Sequence, residues 1–300
     1  FDTASVGAYQ IGTNAGNTLR LGSNSSSSAA YTGLTASATT AQVIAAPIQM
    51  AAYASSTNIK YTFKNNSTTP SATLTFSGAV SGSTSSTRPT VLFLDGANTG
   101  NNLISGDLSN PGSSQTVALL TKSGSGTWIL SGSNTFSGLA MTTLNSANGI
   151  QINAGLLVAE NNNALGNTAN SVNNYINNGG TLELNSSGPN GTITLNGNLT
   201  LQLQTGGTLR SSGSNTVASS VKVAAGASLT ATLSTVNSSD VFTVGDGAND
   251  LTGGSADSVL RVSGPGTLLA AQASNYAGGW SVDQGTLRLG STTGLGAACV

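Results

Sequence analysis

Residues 122–138 read KSGSGTWILSGSNTFSG and residues 155–166 read GLLVAENNNALG, and these two blocks show what kind of fold the chain can adopt. Each holds a short apolar run, Thr127-Trp128-Ile129-Leu130 and Leu156-Leu157-Val158-Ala159, fenced by Gly, Ser and Asn. That arrangement predicts a strand followed by a tight turn. A second copy lies near the end of the sequence. Gly264-Pro265-Gly266-Thr267-Leu268-Leu269 matches Gly124-Ser125-Gly126-Thr127-Trp128-Ile129, and Gly285-Thr286-Leu287-Arg288-Leu289 matches Gly155-Leu156-Leu157-Val158-Ala159. Between them Asn275-Tyr276-Ala277-Gly278 matches Asn134-Thr135-Phe136-Ser137-Gly138 loosely. The closing Leu-Gly falls at the same distance from the opening Gly in both copies, Gly155 to Gly166 and Gly285 to Gly296. A spacing kept while side chains change marks a repeated backbone path, and self-similarity of this kind predicts stacked coils before any other architecture.

Residues 122–166, and less closely 262–296, resemble the passenger-associated strand repeat of bacterial autotransporters and related very large surface proteins. The pattern there is K-x-G-x-G-T-L-x-L-S-G-x-N-x-Y-x-G, then G-T-L-x-V and a terminal A-L-G. Fainter echoes occur at Gly179-Gly180-Thr181-Leu182 and Gly206-Gly207-Thr208-Leu209. Three departures stand out: Trp128 replaces the usual Leu, the first copy is lengthened between Gly138 and Gly155, and the second copy has no Lys. The resemblance implies export and a right-handed parallel β-helix, and it carries no catalytic residues to transfer.

Length does not count domains here, because each coil of a solenoid contacts only its neighbours and 300 residues can form one continuous stack. The expected division is an N-terminal stretch of irregular coils, 1–110, and a more regular one, 111–300, within one solenoid. Only 6% of residues are charged, which would suit disorder, but the net charge is -1 and 37% of residues are apolar, so burial is available coil by coil. Nine scattered Lys and Arg argue against nucleic acid and anionic membrane surfaces as partners. No apolar run is long enough to span a bilayer. The opening Phe1-Asp2-Thr3 shows no leader, which suits a processed secreted protein or a fragment. The single cysteine, Cys299, excludes an internal disulfide framework and leaves a buried thiol or an intermolecular cross-link.

Along the chain, Gln42-Val43-Ile44 and Ile48-Gln49-Met50 flank Pro47, which removes a donor from any helix interior, so two β segments are expected and a short helix is the alternative. Ile59, Tyr61 and Phe63 alternate with Lys60, Thr62 and Lys64 as in a half-buried strand, and a hairpin side branch pairing 59–64 with 72–76 is expected as one option. Val91-Leu92-Phe93-Leu94 reads as a strand covered on both faces. After Gly166 strand centres recur about every ten residues, giving two or three strands per coil of roughly 20 to 30 residues.

The sequence offers little for catalysis. Acid-base chemistry needs convergent titratable groups, whereas ten acids and nine bases are dispersed and His is absent. Stacking can still bring Asp95 near Asp107 or Glu160 near Glu183; isolated surface charges are the expected alternative. The segment 240–257 is the one acidic cluster, with Asp246, Asn249, Asp250 and Asp257 as oxygen ligands of the kind Ca²⁺ takes. The nine-residue repeat of calcium-binding rolls is missing, so a plain turn with no metal is the expected reading. Trp128 and Phe136 are expected in the core. Tyr276 and Trp280, beside Gly278 and Gly279, are the better candidates for exposure and glycan stacking.

These readings converge on a non-enzymatic, extracellular or bacterial-surface, all-β solenoid. A stack ends in open edges that recruit another chain unless capped, so head-to-tail stacking of copies into a fibre or sheath is expected. The alternative is an adhesin or glycan-binding passenger domain that uses cell-surface glycans. A third class, a polysaccharide lyase or hydrolase, requires grouped Asp, Glu or Lys.

Overall fold

A computed structural model describes residues 1, 5–22, 30–51, 59–82, 90–110, 117–136, 149–166, 172–196, 199–226 and 228–296. Among them there is no α-helix, and the strands pair in parallel. The chain is an all-β solenoid and separates into two compact units. The first comprises Phe1–Gln151, Gly155–Leu157 and Asn163–Asn167; the second comprises Ile152–Ala154, Val158–Asn162 and Thr168–Val300.

The first unit opens with β1 (Gln10–Ile11), β2 (Leu19–Gly22) and β3 (Ala30–Leu34). The next coil holds β4 (Gln42–Ile44), β5 (Ile48–Ala51) and β6 (Ile59–Asn65), followed by β7 (Leu74–Phe76), β8 (Val80–Ser81) and β9 (Thr90–Asp95). Then come β10 (Asn102–Ile104), β11 (Leu108–Ser109) and β12 (Val117–Lys122), and finally β13 (Thr127–Leu130), β14 (Ile150–Ile152) and β15 (Gly155–Ala159). One strand per coil feeds each face: β1-β4-β7-β10-β13-β15, β2-β5-β8-β11 and β3-β6-β9-β12-β14. Inward residues stack into columns because a parallel register superposes positions one coil apart. Ile44, Phe76, Ile104 and Leu130 form one such column and are all buried. Phe63 stacks on Phe76 with ring centroids 4.0 Å apart, and Phe76 lies 6.2 Å from Trp128. Burying a Leu, Ile or Phe in this way contributes about 1.5–3 kcal/mol, so each coil adds its own share of stability.

Strands lie on both sides of Pro47, as its missing donor requires, and Tyr61 and Phe63 point inward with no exposed surface. The expected hairpin does not form. β6 pairs with β3 and β9, and β7 pairs with β4 and β10, all in parallel. The reason is the corner between them: Asn65 Nδ2 donates to Ala72 O at 2.8 Å and Asn65 Oδ1 accepts from Ser67 N at 2.9 Å. The chain therefore turns onto a new face instead of reversing. In β9, Val91, Leu92 and Leu94 are buried, but Phe93 is only half-buried and the Lys60 ammonium lies 5.9 Å from its ring. Cover over the outer face is thus partial.

The second unit runs through β16 (Val172–Ile176), then β17 (Gly180–Asn185), β18 (Thr194–Leu195) and β19 (Leu199–Leu203). It continues with β20 (Thr208–Ser212), β21 (Asn215–Val217), β22 (Ser220–Val223), β23 (Thr230–Thr235), β24 (Val241–Val244) and β25 (Leu251–Gly253). It closes with β26 (Val259–Ser263), β27 (Thr267–Ala270), β28 (Gly279–Val282) and β29 (Thr286–Leu289). The faces are β17-β20-β23-β26-β28, β18-β21-β24-β27-β29 and β16-β19-β22-β25. Two core columns traverse it, Leu182-Leu209-Leu233-Val262-Val282 and Leu195-Val217-Val244-Ala270-Leu289.

Candidate functional site

The two sequence repeats adopt the same backbone. In each, the two halves are neighbouring strands one coil apart: β13 lies beside β15, and β27 beside β29. Leu156 N donates to Gly126 O at 3.1 Å, and Thr286 N to Gly266 O at 3.0 Å. Three glycines that the pattern keeps have positive φ in each copy: Gly124 (71°), Gly155 (67°) and Gly166 (91°) in the first, Gly264 (87°), Gly285 (79°) and Gly296 (88°) in the second. A Cβ on Gly155 would lie 2.6 Å from both Gly124 O and Gly126 O, and one on Gly285 would press on Gly264 O and Gly266 O in the same way. The closing glycines pack on the motif aromatics, Gly166 against Phe136 and Gly296 against Tyr276.

The middle of the repeat corrects the sequence match. Thr135 N donates to Leu108 O at 2.9 Å, and Asn275 N donates to Leu251 O at 3.1 Å, so Asn275 stands where Thr135 does. The counterpart of Asn134 is Ser274. Asn134 Oδ1 accepts from Leu108 N at 2.8 Å and its Nδ2 donates to Ala164 O at 2.7 Å. Ser274 Oγ donates to Leu251 O at 3.0 Å and accepts from Tyr276 N. Either side chain ties a corner to the coil before it, and only backbone pairing shows that the shorter serine takes that role.

Lys122, the motif lysine, has no exposed surface, and its Nζ donates to Ser123 O at 2.9 Å and Gly124 O at 2.8 Å. It clamps the turn that the second copy holds by other means, Thr235 Oγ1 accepting from Gly266 N at 2.8 Å. Burial pushes the Lys122 ammonium down to about 8, with Asp95 opposing that shift in part. A lysine depressed in the folded state binds fewer protons there than when unfolded. Stability is therefore expected to rise as pH goes from about 8 towards the ordinary lysine value of 10.5. Tyr61, whose hydroxyl donates to Leu21 O at 3.1 Å, is pushed up to about 12 by burial and works the other way above pH 10. A urea midpoint measured against pH should thus climb above pH 8 and turn down beyond pH 10, and Lys122→Met should remove the climb.

The remaining candidates fall as follows. Trp128 and Phe136 are buried, as expected, and Trp128 Nε1 donates to Asp95 O at 3.0 Å. Tyr276, a candidate for exposure and glycan stacking, has no exposed area: its hydroxyl donates to Ser258 O and Gly279 O, because the Gly-Gly turn folds over the ring instead of lifting it out. Trp280 is half-buried, 5.8 Å from Tyr276 in an edge-on arrangement, and its Nε1 donates to Leu295 O at 2.9 Å. Asp250 Oδ2 accepts from Asp246 N at 3.0 Å and Gly247 N at 2.7 Å, closing a turn in which Asn249 has φ of 69°. Asp257 is exposed in a later turn, and among the described residues no three His, Cys, Asp or Glu gather as a metal site would need. Cys299 lies outside the described residues.

Three pairs of charges meet between coils. Lys64 and Asp95 are register partners 3.3 Å apart, Arg210 pairs with its register partner Glu183, and Arg261 pairs with Asp283. Glu160 does approach Glu183, while Asp95 is held by Lys64 and Asp107 Oδ1 accepts from Ser133 N at 2.7 Å. Sequence reasoning expected open edges to the stack without naming the residues that lie on them. Val282 and Leu289 end the two core columns of the second unit yet are 50% and 41% exposed, with Trp280 and Leu287 half-buried beside them. At β1 of the first unit, Ile11 heads the Ile44 column and is 39% exposed.

Comparison with known proteins agrees with this geometry. No curated protein and no solved structure gives a significant match to the chain. Residues 120–159 and 260–289 match the passenger-associated-transport-repeat model, and the two matches end on β15 and β29, the second strand of each repeat. The chain is thus a parallel β-solenoid that carries two autotransporter-passenger-like repeats.

Proposed function

We propose that this chain is a structural, non-enzymatic passenger-like solenoid, secreted or surface-exposed, that joins copies of itself end to end into a fibre or sheath. The observation that supports this reading is the last coil. Val282 and Leu289 occupy core positions of their columns and yet are 50% and 41% exposed. Open strand edges bordering apolar core positions favour strand addition. Ile11 at β1 offers the same kind of surface. Three ion pairs, Lys64 with Asp95, Arg210 with Glu183 and Arg261 with Asp283, tie neighbouring coils together, which suits a structural role better than proton transfer.

Electron microscopy and sedimentation at rising concentration test the proposal. The wild-type chain should assemble, and Val282→Lys with Leu289→Lys should remain monomeric, with stability changed by no more than about 0.5 kcal/mol because neither position is enclosed. Dispersed wild-type particles at high concentration would count against assembly. A polypeptide extended beyond Val300 that covers these columns and stays monomeric would assign the surface to its own next coil.

A further inference from the structure

Glu160 follows the last residue of β15 and is buried, under the strap formed by residues 186–191. The strap is held to it at both ends. At its root, Asn185 Nδ2 donates to Glu160 Oε1 at 2.9 Å, and at its tip Asn190 Nδ2 donates to Glu160 O at 2.7 Å. Between them Gly188 lies directly on the glutamate: a Cβ there would sit 2.7 Å from the carboxyl carbon and 2.8 Å from both methylenes of the side-chain stem. Two positions before Asn185 on β17, Glu183 is also buried and is neutralised by Arg210, whose Nε donates to its Oε2 at 2.7 Å. The guanidinium pairs with Glu183, while the Glu160 carboxyl is held by the neutral Asn185 amide.

We propose that the 186–191 strap is a pH-sensitive latch, closed over a protonated Glu160 and released when Glu160 ionises beside Glu183. Ionisation places a second negative charge in a site that is largely covered while the strap is closed. The groups that act on Glu160 are Asn185 and Glu183 on β17, with Arg210 on β20 holding Glu183. Consistent with this geometry, burial raises the Glu160 carboxyl above its ordinary value; Asn185 opposes the shift and Glu183 adds to it. The sign follows from linkage. A carboxyl raised in the closed state favours closure at low pH and loses that contribution as pH rises through its closed-state value.

Hydrogen exchange at the Gly191 amide, which donates to Gly188 O at 3.2 Å, reads the latch directly. Corrected for intrinsic rate, opening should increase about tenfold for each pH unit between the ordinary glutamate value and the closed-state value. In Glu160→Gln the strap should stay protected across the same range. Opening that does not vary with pH, or that varies equally in Glu160→Gln, overturns the proposal. Should the variant fail to fold, the carbon-13 titration of the Glu160 carboxyl in the wild-type chain decides, because titration at the ordinary value overturns it as well. None of these readouts depends on self-assembly.

Discussion

Gly155→Ala is expected to lower stability by about 3 kcal/mol. Two costs combine. Gly155 has φ of 67°, where an alanine is strained. Its Cβ would also lie 2.6 Å from two carbonyl oxygens and 2.8 Å from Lys122 Nζ, so the stacked turns must part. Two other glycines separate these terms. Gly179 has φ of 80° with nothing near its Cβ position, and Gly179→Ala should cost only about 1 kcal/mol. Gly226 has open space and no positive φ, and Gly226→Ala should lie within about 0.5 kcal/mol of wild type. Urea midpoints for the three variants provide the check; equal losses would show that the close approach of coils does not matter.

Asn102→Ala should cost about 3–5 kcal/mol, because it leaves several buried groups without partners at once. Asn102 Oδ1 accepts from Asn65 Nδ2 at 2.6 Å and Leu74 N at 3.0 Å, while its Nδ2 donates to Thr127 O at 2.9 Å. One side chain thus joins the coils before and after its own. Its loss should show as a lower urea midpoint together with faster exchange of the Leu74 amide. Asn162 gives the contrast. Its Oδ1 accepts from Thr194 N at 2.8 Å at an exposed corner, where water can substitute, so Asn162→Ala should cost less than about 1 kcal/mol.

The corner residues show how far local reading reaches. Gly, Asn and Ser between short apolar runs announce turns, and the structure places a corner at each repeat, with three of the retained glycines in each copy at positive φ. The same reading went astray where two turns look alike from within. The Asn65 corner has the composition of a hairpin loop, but its side chain directs the chain onto another face. Tyr276 lies among glycines that suit exposure, and those glycines instead let the backbone close over the ring. Of the candidate site, the approach of Glu160 to Glu183 was legible as a stacking option, while the strap over it was not.

From the order of residues alone follow the all-β content, the alternation that assigns Tyr61 and Phe63 to the interior, and the presence of two repeats. These are properties of contiguous residues, because side-chain period and turn chemistry act over a few positions. Which residues share a column came only with the fold: Ser274 in the place of Asn134, Lys122 beneath Gly155, and Val282 and Leu289 as core positions facing solvent. Each of these depends on a partner roughly one coil away, and coils differ in length. Register is therefore set by how whole coils pack, and no local pattern encodes it.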